Sequence, residues 1–126
     1  MGPFNSTHVA QSLTIPMSEV ADELFLMTNL SPRTTGLPMV VWVGPRYGAR
    51  HDVRIKVMQA HGDRMDPGNL AVVAVRPTPY IVQGHLSAPD LRAVRRWIEL
   101  NRAAILDHWN EVIDGAELVQ RLQRLP

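Results

Sequence analysis

The stretch spanning residues 87–125 constrains the fold more than any other part of this chain, because its start signal, its periodicity and its stop signal all agree. Ser87 can accept a hydrogen bond from a first-turn amide, Pro89 is tolerated where its missing N–H would be unpaired, and Asp90 completes a shortened capping box. Leu91, Val94, Ile98, Ile105, Trp109 and Val112 then recur at spacings of three, four and seven, which places them on one side of a helix. That side is expected to face the core. Arg92, Arg95, Arg96, Glu99 and Arg102 fall largely opposite, and Asn101, a poor helix former, marks an expected weak point between two helices. Trp97 lies off the main stripe, where it offers an anchor for a partner surface. Asp114-Gly115 ends the run, and Glu117, Leu118, Leu122 and Leu125 then suggest a short amphipathic tail helix.

Upstream, the helical period gives way to alternating and continuous apolar runs. Residues 38–43 read as a buried strand, and Gly44-Pro45-Arg46-Tyr47-Gly48 turns it. Val53, Ile55 and Val57 alternate with Arg54, Lys56 and Met58, which predicts a half-exposed strand with one mostly basic face. A loop rich in turn formers, residues 61–69, leads to residues 70–75, whose continuous apolar sequence predicts burial on both sides. Pro77 and Pro79 force a bend before a short edge strand over residues 80–82, open to pairing with another copy of the chain. Nearer the N-terminus, Ser18 can cap a short helix beginning at Glu19, whereas residues 1–16 lack any period and read as a flexible arm. The remainder, 17–126, reads as one α+β domain. Its expected form is a small antiparallel three- or four-stranded sheet covered by the long C-terminal helix, with a short N-terminal helix.

The run from Leu91 to Trp97, then Ile98-Glu99-Leu100-Asn101-Arg102 and Ile105-Leu106-Asp107-His108-Trp109, resembles the C-terminal half of a small bacterial family, the domain of unknown function 4160. The resemblance extends over residues 37–125. Members pair such a helix with a preceding sheet that opens on a histidine-rich strand, His-x-Pro-Pro-His-x-His-hydrophobic. In the corresponding segment, His51-Asp52-Val53-Arg54-Ile55-Lys56-Val57, only His51 matches; Arg54 and Lys56 stand in place of the other histidines, and the paired prolines are absent. The histidine motif is degenerate, so no metal or acid-base role carries over. The resemblance implies a bacterial protein of unknown activity, expected to act as a non-enzymatic interaction or regulatory module of a toxin-antitoxin-like operon, with a protein partner or self-association.

Composition narrows the chemistry further. With no cysteine among 126 residues, thiol nucleophiles, cysteine zinc sites and redox switches are excluded. The apolar runs fall far short of a membrane span and no signal core is present, which points to a cytoplasmic protein. A formal charge of +1 is too small for nonspecific attraction to nucleic acid, and the preference for arginine over Lys56, the only lysine, reads as a bias of the whole chain.

Four groups of residues remain as candidates for chemistry. His51-Asp52 and His61-Gly62-Asp63 can supply four ligands to a metal-dependent hydrolase, but without diagnostic spacing, so no metal and no cofactor is expected. Ser31 and Ser87 lack a nucleophile elbow. Arg46, Tyr47, Arg50, His51, Arg54 and Lys56 form a basic hairpin with an aromatic ring, suited to anion binding. The same residues carry the alternative reading of an RNA-binding or ribonuclease-like toxin, with His51 as general acid or base. Trp97 and Trp109 are expected to be mostly core.

Overall fold

The computed structural model describes residues 24–126. The expected arm over residues 1–16 and the cap at Ser18 lie outside the described residues; of the expected N-terminal helix, whose apolar face was to include Leu24 and Met27, Leu24 and Phe25 are helical, whereas the chain turns at Leu26 and bends at Met27. The domain is α+β, as anticipated, but its sheet has five strands and not three or four. All pairings are antiparallel and the strands lie in chain order: β1 (Thr28–Leu30), β2 (Val41–Val43), β3 (Arg54–Met58), β4 (Leu70–Ala74) and β5 (Tyr80–Gln83). The additional strand is β1, three residues long, whose Thr28 and Leu30 sit opposite Val43 and Val41. Asn29, Ser31 and Pro32 give this segment the composition of a loop, and only pairing with β2 makes it a strand. A single helical turn, α1 (Pro32–Thr35), follows it.

The register places Val41, Val43, Ile55, Val57, Ala71 and Val73 on one face of the sheet. They share a buried cluster with Val75 and with Val94, Trp97, Ile98, Ile105 and Trp109 of the long helix α2 (Ala88–Trp109). The expected packing of Ile98, Ile105 and Trp109 with Val41, Val73 and Val75 in one core is therefore what forms. Each such side chain, taken wholly out of water, contributes roughly 1.5–3 kcal/mol. β3 departs from the half-exposed reading, since Lys56 is 3% exposed and Met58 is fully buried. Lys56 lies in register between Trp42 and Val72, which are buried as well, so this second face of the sheet is also covered.

α2 starts as its sequence predicts, with the Asp90 amide donating to Ser87 Oγ at 3.2 Å and Pro89 in the first turn. Asn101 leaves helical geometry (φ −113°, ψ 15°), so the expected weak point is a real break within the run. The buried stripe is two columns wide: Trp97, Asn101, Ala104 and His108 run beside Val94, Ile98, Ile105 and Trp109. Trp97 is therefore core, fully buried, and presents no partner anchor. Val112, the last expected stripe residue, is 67% exposed because α2 ends at Trp109 and Glu111 turns the chain out with φ 61°.

The tail closes the domain. α3 (Gly115–Arg121) opens on a full capping box in which Glu117 N–H donates to Asp114 Oδ1 at 2.8 Å and Asp114 N–H to Glu117 Oε1 at 3.0 Å. The chain then runs extended past Asn101, whose Nδ2 donates to the carbonyls of Trp97 and Gln123 while its Oδ1 accepts from Gln123 N–H. Beyond that bracket, Leu125 N–H donates to Thr35 O at 2.8 Å and Arg124 Nε to Arg33 O at 2.9 Å. Gly36 ends α1 at φ +80°, and a Cβ there would meet Leu125 O at 2.5 Å, so glycine both makes the turn and admits the tail. No helix among the described residues is long and apolar enough to cross a membrane.

Candidate anion-binding cleft

The β2–β3 connection carries most of the residues singled out from the sequence. Its turn closes through Ala49 N–H donating to Arg46 O at 2.7 Å, and both central residues have positive φ, Tyr47 at 38° and Gly48 at 71°. That is the signature of a type I′ turn, which glycine adopts without strain and tyrosine does not. Holding Tyr47 there costs roughly 1–2 kcal/mol. The turn is fastened to the end of α2 by Arg46 N–H, which donates to Trp109 O at 2.9 Å. β3 begins a few residues later, so Arg54 comes up beside the turn.

Together these elements enclose a cleft of about 220 Å³. Arg46, Tyr47, His51 and Arg54 supply its polar groups, and Trp109 closes one side. Leu26, Met27, Pro45 and Ala49 complete the apolar part of the lining. Two of the six predicted binding residues are absent from it: Arg50 is exposed elsewhere on the loop, and Lys56 is buried in the sheet. Trp109 is the contributor that sequence reading missed, because a tryptophan on an apolar stripe signals core; it is 5% exposed and serves both.

The imidazole of His51 lies against the Trp109 indole with ring centroids 5.9 Å apart and planes tilted by 30°. His51 Nδ1 is 2.7 Å from the Asp52 carbonyl oxygen, to which it donates, so the remaining ring nitrogen is Nε2. Arg54 Nε is buried and has no hydrogen-bond acceptor among the described residues. A buried guanidinium donor without an acceptor leaves part of its desolvation uncompensated. The Asp52 carboxylate does not fill that role, because it is gripped by Arg76 through two bonds of 2.8 Å, Nε to Oδ2 and Nη2 to Oδ1. The Arg76 guanidinium, helped by the Val53 backbone N–H and the Arg46 charge, holds the Asp52 carboxyl down at about 2.

The other sequence candidates do not assemble. His61 Nε2 contacts both carboxylate oxygens of Asp90 at the start of α2, at 2.9 and 3.0 Å, and so pairs with neither Asp63 nor His51. Among the described residues, no three His, Cys, Asp or Glu side chains are arranged to hold a metal ion. Ser87 serves as a helix cap. His108, beside Trp109, is 4% exposed; its burial pushes the imidazole pKa down, against the opposing pull of the Gly44 backbone hydrogen bond and the Asp114 charge. No family model matches the chain, and neither a curated protein nor a solved structure matches it.

Proposed function

We propose that the protein is a non-enzymatic recognition module whose cleft takes an anionic group, in keeping with the regulatory role implied by its resemblance to a component of a toxin-antitoxin-like operon. The observation that carries this reading is the convergence of the Arg46 and Arg54 side chains with His51 on one cleft, the Arg54 Nε behind it lying buried and without an acceptor among the described residues. Charge-assisted bonds from guanidinium to phosphate or carboxylate are among the stronger hydrogen bonds available, and the planar fork matches either oxyanion. His51 contributes a ring that is already held, by stacking on Trp109 and by its bond to a backbone carbonyl, which suits binding better than proton transfer.

The test is titration of the purified chain with inorganic phosphate, monitored by chemical shifts of the arginine Nε–H and tryptophan Nε1–H groups. Arg54 Nε–H should shift on binding, affinity should fall as salt rises, and Arg54→Gln with Arg46→Ala should abolish the shift while leaving the thermal melt close to the parent. No shift at millimolar phosphate, with the fold intact, would count against anion recognition.

A further inference from the structure

We infer that the natural ligand of the cleft is a small free anion carrying a flat ring, an aromatic or heteroaromatic phosphate or carboxylate, whose ring stacks at Tyr47 while its acid group meets Arg46 and Arg54. The inference rests on the anion-recognition reading and narrows it. Three independent features converge on it.

The first is the backbone of Tyr47. A bulky residue at φ 38° is uncommon, and the neighbouring glycine shows what an unstrained turn would use. Strained positions persist where the surroundings enforce them, and they concentrate at ligand sites. Tyr47 is 66% exposed, so burial of its ring in the core does not account for its presence. The turn instead carries the phenol at the opening of the cleft, leaving a flat face to cover.

The second is the mixed lining. A bare oxyanion would meet the Arg46 and Arg54 guanidinium groups but would leave Met27, Pro45 and Ala49 facing a group that wants water. A wholly apolar ligand would cover those side chains and leave both guanidinium groups without an acceptor. A ring bearing one acid group answers both requirements at once, and the tilted His51–Trp109 pair adds aromatic surface of its own.

The third is size and charge. About 220 Å³ is roughly the share of seven liquid waters, enough for one ring with an acid group and too little for a helix or a folded segment. With a formal charge of +1, the whole chain does not supply the broad positive field that a nucleic-acid strand exploits, so a free small molecule is favoured over RNA.

The experiment compares inorganic phosphate, phenyl phosphate, adenosine monophosphate and a short oligoadenylate on the parent chain and on Tyr47→Gly. Phenyl phosphate should bind more tightly than inorganic phosphate by the stacking increment, about 5- to 150-fold for the 1–3 kcal/mol that one ring contributes. Tyr47→Gly removes the ring and also relieves the backbone, so the variant should be at least as stable as the parent. It should lose most of the preference for phenyl phosphate over inorganic phosphate. Arg54→Gln should weaken every probe. Equal binding of phosphate and phenyl phosphate would overturn the ring and leave anion recognition standing; failure of both would remove the two readings together. Oligoadenylate binding far more tightly than the monophosphate, with a steep salt dependence, would overturn the free-molecule assignment in favour of an RNA strand.

Discussion

Replacing Asn101 by alanine tests whether one buried amide holds the C-terminal tail in place. Asn101 is 3% exposed, and all of its side-chain bonds go to backbone: Nδ2 to Trp97 O and to Gln123 O at 3.0 Å each, and Oδ1 from Gln123 N–H at 2.7 Å. At about 1 kcal/mol net apiece, the three bonds sum to about 3 kcal/mol. Because Asn101 stands outside helical geometry, helix propensity returns little to alanine, leaving a loss of about 2–3 kcal/mol. For a domain of this size, that lowers the melting temperature by roughly 10 °C. Urea unfolding of the parent, of Asn101→Ala, of a chain ended after Leu122 and of the double variant closes a thermodynamic cycle. Because two of the three bonds reach Gln123, the substitution should cost about 1 kcal/mol or less once the tail is gone. If Asn101→Ala melts within 2 °C of the parent, or costs the same with and without the tail, the bracket is not what secures it.

Three further outcomes are expected. Trp109→Ala should destabilise by roughly 3–5 kcal/mol through the cavity it leaves, so a melt within a degree or two of the parent would show that its 5% exposed ring is not part of the core. Gly36→Ala combines a left-handed backbone with a Cβ 2.5 Å from Leu125 O, and at least 1–2 kcal/mol should be lost, about that much from the backbone alone. Early protease cutting near Leu125 would report the displaced tail, and a parent-like digest would contradict it. Burial lowers the His108 pKa in the folded state below its ordinary 6.5, so the unfolded chain takes up the proton first. Stability should therefore fall as pH drops below about 6.5 until the folded value is reached, and His108→Phe should flatten that slope in melts between pH 5 and 7. The Asp52 contribution lies in a separate, more acidic window, lost only as pH falls from 3.8 towards about 2.

Much of this architecture is legible in the sequence where local signals agree with one another. The Ser87 cap, the Asn101 break and the alternation of Ile55 and Val57 each reflect a preference that tertiary contacts reinforce. The grouping of Arg46, Tyr47, His51 and Arg54 is legible for a simpler reason, since a turn followed directly by a strand keeps such close neighbours together. What escaped depends on contacts that no local pattern records. β1 exists because Val41 and Val43 accept it as a neighbour, and its own three residues carry no strand signature. Period-two alternation marks two faces of β3 but cannot say that the second, where Trp42, Lys56 and Val72 stand in register, is buried too. His61 finds Asp90 across 29 positions and Asp52 finds Arg76 across 24, and both pairs remove charges that adjacency in sequence had assigned to one site.

Every strand pairs with the one next to it in the chain, so the sheet can zip hairpin by hairpin with only short loops to close. The seam between tail and α1 is the opposite case, its Arg124–Arg33 bond joining residues 91 positions apart. Once the hairpins have shortened the path, closing that loop becomes far less costly in entropy, which makes the seam a late step in assembly. It should also be the first region to open in the native state, as a cooperative unit distinct from the centre of the sheet. Amide exchange at Gly36, Gln123 and Leu125 should therefore run well ahead of exchange at Ile55 and Val73, dividing the domain into a durable meander and a clasp that opens and shuts around it.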